Sequence, residues 1–78
     1  MTISKLLFGS TFSLNENIFL LTQDRNRRDQ RNCINLKNGS SQWIDESTEV
    51  EIVALYTIDK NNNFTPLKED NNYELVTN

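Results

Sequence analysis

Apolar residues along this chain fall in short stretches separated by polar turns. That is a strand pattern, because a helix needs ~10–12 residues of sustained 3.6-residue periodicity. Residues 5–8 and 12–14 form two such stretches around Gly9-Ser10, where a bend or bulge is expected. "NEN" at 15–17 reads as a turn, and 18–22 is a continuous apolar run of the kind covered on both faces. Residues 23–32, "QDRNRRDQRN", contain no apolar side chain and read as a long hairpin loop leading to a strand over 32–37, with Ile34 and Leu36 on one face. "NG" at Asn38-Gly39 is the strongest hairpin signal, predicting a type I′ turn with positive φ at both residues. The strand then returns through Gln42, Trp43 and Ile44.

After a polar link, residues 49–58 form the longest strand candidate. Val50, Ile52, Ala54, Tyr56 and Ile58 alternate onto one face; Glu49 and Glu51 share the other with Val53 and Leu55. "DKNNN" at 59–63 turns the chain, Phe64 and Leu67 are expected to touch back onto the core, and Pro66 forbids a central strand there. Residues 73–76 read as a final edge strand. Five or six short strands joined by short turns predict an all-β fold, a small antiparallel barrel of SH3-like form, with an OB-like barrel as the alternative.

Composition narrows the class. The chain has 78 residues, one small domain, and Leu, Ile, Val and Phe fill 22 positions, above the ~20% below which disorder is the default. A core of this size rarely supplies more than ~3–5 kcal/mol, so a self-association surface would help. One cysteine, Cys33, excludes an internal disulfide, and with no histidine there is no zinc set. Near the N-terminus the apolar run is only Leu6, Leu7 and Phe8, too short for a signal or membrane segment. A reduced, cytosolic compartment is the simplest expectation, with no membrane and no cofactor. Asparagine fills 12 positions, more than turns need.

The net charge of −3 hides an asymmetry. Residues 1–44 carry six basic side chains against three acidic ones, and residues 45–78 carry two against eight. All four arginines, Arg25, Arg27, Arg28 and Arg31, lie in the polar stretch.

"FGSTF" at 8–12, "IFLLTQ" at 18–23 and "CINLKNGSSQW" at 33–43 are similar to small, mostly phage-encoded proteins of unassigned function, which share an early aromatic beside glycine, a "YxLxQ"-like strand and an "LINLxxGxxW"-like hairpin. The resemblance covers about residues 8–44 and departs from the pattern at the arginine-rich loop, expected to be shorter. It implies a compact β domain of phage origin, placing the protein in the host cytoplasm, and supplies no catalytic residue.

Several patterns are candidates for chemistry. Four guanidiniums on one loop can grip phosphate by bidentate bonds, or dock an acidic protein patch and steer association. They can also be a solvated hairpin answered by Asp24 and Asp29. No aromatic residue interleaves them, which disfavours a nucleic-acid stacking surface. Asp45, Glu46, Glu49 and Glu51 form an acidic strand face; Glu49 and Glu51, ~6.7 Å apart by strand rise, are loosely spaced for paired-carboxylate hydrolysis. Charges that guard an exposed strand end explain them better. Asp59, Asn61 and Asn63 match the opening of a calcium loop, but its glycine position holds Phe64 and its final glutamate position Asp70. The sequons at Asn38 and Asn63 fall to chance without a secretory signal. Cys33 lacks a histidine to activate it, and Trp43 is either core or an exposed interface anchor.

With no nucleophile–base pair and no phosphate-cradling glycine loop, a non-enzymatic binding domain is expected. On this reading it is a phage-type accessory or inhibitor protein that engages another macromolecule, most simply a protein, through the arginine loop or the acidic face. A module for phosphate in nucleic acid or a nucleotide, and a structural assembly subunit, are the alternatives.

Overall fold

A computed structural model describes residues 1–67; the strand expected over 73–76 lies outside the described residues. The chain is all-β and antiparallel. A 3₁₀ turn at Ile3–Lys5 leads into β1 (Thr11–Leu14), β2 (Asn17–Arg25), β3 (Gln30–Asn35), β4 (Ser41–Asp45), β5 (Glu51–Ile52), β6 (Tyr56–Ile58) and β7 (Phe64–Pro66). The first five strands form one sheet in the order β4-β3-β2-β1-β5, and β6 and β7 form a separate two-stranded sheet.

The edge strands β4 and β5 do not pair with each other, so among the described residues the sheet does not close into the expected barrel, SH3-like or OB-like. The N-terminal segment occupies the link between them. Ile3 N–H donates to Thr48 O at 3.1 Å, Ser4 N–H to Glu46 O at 2.9 Å, and Val50 N–H to Met1 O at 2.8 Å. Residues 5–8 are therefore not a strand. The three-residue repeat of a 3₁₀ turn stacks Ile3 over Leu6 and buries both. Gly9, at φ 84°, then bends the chain into β1.

One face of the sheet carries the core: Ile3, Leu6, Phe12, Phe19, Leu21, Cys33, Ile44 and Val50, with Leu14 and Ile52 packed against it. Phe12 lies opposite Phe19 across β1–β2, their rings stacked with centroids 5.6 Å apart. The other face holds Ile18, Leu20 and Ile34, half-buried, with Leu36 and Trp43 exposed. Cys33 and Asn35, rather than Ile34 and Leu36, are the buried pair of β3.

The long strand expected over 49–58 breaks after Ile52, and the reason is the length of its neighbour. β5 pairs Glu51 and Ile52 with Ser13 and Phe12. Val53 N–H donates to Thr11 O and the Thr11 hydroxyl to Val53 O. β1 begins only at Thr11, so beyond Val53 no strand edge remains to template a longer partner. The chain leaves the sheet, and Leu55 settles beside Ile18 and Leu36 along an apolar groove of about 350 Å³. Tyr56, Ile58, Phe64 and Leu67 are all more than half exposed, so Phe64 and Leu67 do not return to the core. Pro66 sits on β7, whose only partner among the described residues is β6, where a missing N–H is tolerated.

The hairpin turns were partly legible. "NEN" is a two-residue turn with Asn15 at φ 51° and Glu16 at φ 68°, the type I′ geometry expected instead at "NG". The Asn38-Gly39 turn is longer. Asn35 N–H bonds Ser40 O, Gly39 N–H bonds Asn35 O, and only Gly39 takes positive φ, at 76°.

Candidate functional site

The polar stretch at 23–32 is not one long loop. Both strands run into it, and Arg25 of β2 stands directly opposite Arg31 of β3. Backbone bonding needs no apolar side chain, so the hairpin extends past the core as a polar ribbon. An irregularity between Leu21 and Arg25 accommodates the extra β2 residues. There the Thr22 hydroxyl donates to Asn32 O at 2.8 Å and accepts the Asp24 N–H at 3.2 Å.

Only residues 26–29 turn. Asn26 organises them: its Oδ1 accepts the N–H of Arg28 at 2.9 Å and of Gln30 at 3.0 Å, while its Nδ2 donates to Gln30 Oε1 at 2.9 Å. Asn26 N–H bonds Gln30 O at 3.1 Å and closes a three-residue loop of Arg27, Arg28 and Asp29, whose final position is left-handed, with Asp29 at φ 57°. The β6–β7 loop repeats this design. Asp59 Oδ1 accepts the N–H of Asn61 and of Asn63, and Asn62 takes φ 63°. The spacing that resembles a calcium loop is the spacing of this turn, whose own N–H groups occupy the Asp59 carboxylate.

Two like charges directly opposite across strands repel. Glu46 answers them. Its Oε1 accepts from Arg25 Nη2 at 3.0 Å, and its Oε2 lies 3.8 Å from Arg31 Nη1. Asp29 Oδ1 also accepts from Arg25, at 3.1 Å. The Arg31 side chain is 12% exposed and that of Glu46 19%, so this pair is shielded where the Arg25–Asp29 pair is open to water. The Arg31 Nε is buried without a hydrogen-bond partner. Arg27 and Arg28, at the exposed tip, form no side-chain ion pair or hydrogen bond among the described residues.

The arginine cluster and the acidic group thus meet, through Glu46, and the acidic residues do not share one face. Asp45 accepts the Ser47 N–H and hydroxyl, which hold its carboxyl below the usual carboxylate range. Glu49 pairs with the Met1 ammonium at 2.8 Å. Glu49 and Glu51 line an open groove of about 570 Å³ with Met1, Ser13, Leu14, Asn15 and Val50. Both are exposed, and neither sits in the apolar setting that a general acid needs.

Cys33 is fully buried and its Sγ–H points at Arg31 O, 3.6 Å away. Burial pushes the thiol up from 9.0 to about 11, against a smaller pull from Arg31, so it is protonated near neutral pH. Trp43 is 45% exposed on β4, not part of the core. Among the described residues, no group of three His, Cys, Asp or Glu side chains is placed to hold a metal ion, and no helix is long and apolar enough to cross a membrane.

Sequence reasoning did not single out Glu46 as the partner of Arg25 and Arg31, because Arg25 and Glu46, 21 residues apart, are joined only by the strand register. The Asn26 and Asp59 turns carried a readable signal: Asn or Asp, two free positions, then a residue tolerant of positive φ. No protein-family model, curated protein or solved structure matches this chain.

Proposed function

We propose that this protein is a small non-enzymatic binding protein that engages an acidic surface on another macromolecule through the β2–β3 hairpin tip, with Arg27 and Arg28 as the contact residues. A phage-type accessory or inhibitor protein is the form this reading takes. The observation that carries it is the pair of matched loops. The β6–β7 turn places Lys60 and Asn61 where the β2–β3 turn places Arg27 and Arg28, so the turn itself requires no arginine at either position. Arg25 and Arg31 have structural partners; the tip pair has none among the described residues. The tip is held by Asn26, and a loop fixed in advance loses less entropy on binding.

A protein partner fits better than phosphate. At this corner four arginines face Asp24, Asp29 and Glu46, leaving a single net positive charge. Backbone binding to nucleic acid draws on several neutralised phosphates.

The test compares the immobilised wild-type chain with an Arg27→Ser/Arg28→Ser variant for capture from native cell extract at low and high salt. The expected result is a protein held by the wild type and lost from the variant. Equal capture by both removes the reading. Captured nucleic acid with a steep salt dependence replaces the protein partner by the phosphate alternative.

A further inference from the structure

The two edges of the five-stranded sheet are built differently. β5 is two residues long, and Glu49 and Glu51 stand exposed at it, a short, charged edge of the kind that resists pairing with other chains. β4 is five residues long and pairs with β3 without a register break over all five. It contains no proline and no lysine, and its middle residue is the exposed Trp43.

Ladder alternation fixes which groups β4 turns outward. Asn35 N–H bonds Ser40 O and Glu46 N–H bonds Asp29 O, so the bonded positions along β4 are Gln42 and Ile44. Ser41, Trp43 and Asp45 therefore direct their N–H and C=O groups away from β3. Among the described residues only the Asp45 carbonyl is engaged, by Thr48 N–H at 3.0 Å.

We propose that the β4 edge is a homodimer interface, in which β4 of a second copy pairs antiparallel across a two-fold axis at Trp43. This register sets Trp43 opposite Trp43 of the second copy and Ser41 opposite its Asp45, and it uses every outward residue of the strand. Charge favours the second copy as occupant. The turn before β4 carries the exposed Lys37, and its far end carries Asp45. A two-fold antiparallel pair brings these unlike ends together and opposes no like charges. The indoles add an aromatic cross-strand pair beside the half-covered apolar face of Ile34 and Leu20. The interface is separate from the arginine tip and stands or falls independently of it.

The test is sedimentation velocity of the full chain over a concentration series, read with the emission of Trp43, the chain's one tryptophan. A dimer is expected, with emission moving to the red on dilution as the indole returns to water. Trp43→Glu sets two carboxylates opposite each other and should give a monomer. Ser41→Pro removes an outward N–H without touching the β3 ladder and should weaken the dimer at least tenfold with Trp43 in place. Arg27→Ser/Arg28→Ser should leave the dimer intact. A wild-type chain that stays monomeric to about 1 mM overturns the proposal. So does a dimer that survives Trp43→Glu, or one whose formation leaves the Trp43 emission unmoved.

Discussion

In one hairpin Asn26, and in another Asp59, accepts two backbone N–H bonds and is followed three positions later by a residue with positive φ. The turns are the same, and their settings are opposite. The β2–β3 turn caps two strands of the main sheet and is tied at its base to Glu46. The β6–β7 turn caps a pair of short strands that, among the described residues, pair only with each other and whose apolar side chains are exposed. A two-stranded hairpin alone is marginal. The difference teaches that the turn is a local product of a few side chains, while its stability is borrowed from whatever lies beneath it.

Removing that support should have the largest effect. Glu46→Gln leaves Arg25 and Arg31 facing each other, and Arg31 shielded from water without an anion. A loss of about 1–3 kcal/mol is expected in urea unfolding, less than for a fully buried pair because both partners retain some exposure. Adding Arg31→Met to Glu46→Gln should recover much of it. Full stability in Glu46→Gln alone would mean that the β2–β3 hairpin is no better anchored than its counterpart.

Equivalent lesions in the two turns come next. Asn26→Ala removes acceptors for Arg28 and Gln30, at a cost of about 1 kcal/mol, visible as a fall in melting temperature. Asp59→Ala breaks the same bonds in a hairpin outside the core. It should leave the melting temperature nearly unchanged and appear only as faster amide exchange at Asn61 and Asn63. Equal falls in melting temperature would show that the second hairpin is part of the cooperative unit.

Acid separates the two turns further. The N–H groups of Asn63 and Asn61, with the Asn63 side chain, hold the Asp59 carboxyl below its usual range. Its contribution to hairpin order is thus present above the unfolded value of about 3.9 and lost as pH falls through the lower folded one. Asn26 does not titrate. Amide shifts of Asn61 and Asn63 should move in this acid window while those of Arg28 and Gln30 move far less, and Asp59→Asn should abolish the difference.

The smallest effect is expected from exchanging tips. Arg27→Lys with Arg28→Asn gives the first turn the side chains of the second, and stability should change by no more than about 0.5 kcal/mol per site in thermal unfolding. A larger loss would assign the arginines to the fold rather than to a partner.

The local pattern of short apolar stretches between polar turns revealed β1, β2 and β4: Phe12 and Leu14 share a face, 18–22 is a continuous apolar run, and β4 is the return from the Asn38-Gly39 turn. It placed the turns at 15–17 and 59–63 for the same reason that Asn and Asp favour turns. It failed where the cause lay in a neighbour. Nothing in "EIVALYTI" shows that β1 begins only at Thr11, and that limit is what divides β5 from β6. Nor does a polar run show that its backbone continues as a ladder, which is why Arg25 and Arg31 read as loop. The site was half legible: the tip arginines stand out by charge, while Glu46 acquires its role only through the register that brings it to them.

Cys33 gives the sheet a clock. It is the chain's single thiol and lies fully covered between β2 and β4, so a thiol reagent meets it only when the strands part. At modest reagent concentration the labelling rate then reports how often the molecule opens, and at high concentration how fast. Each of the variants above can thus be timed at one interior atom without denaturant and without an added probe.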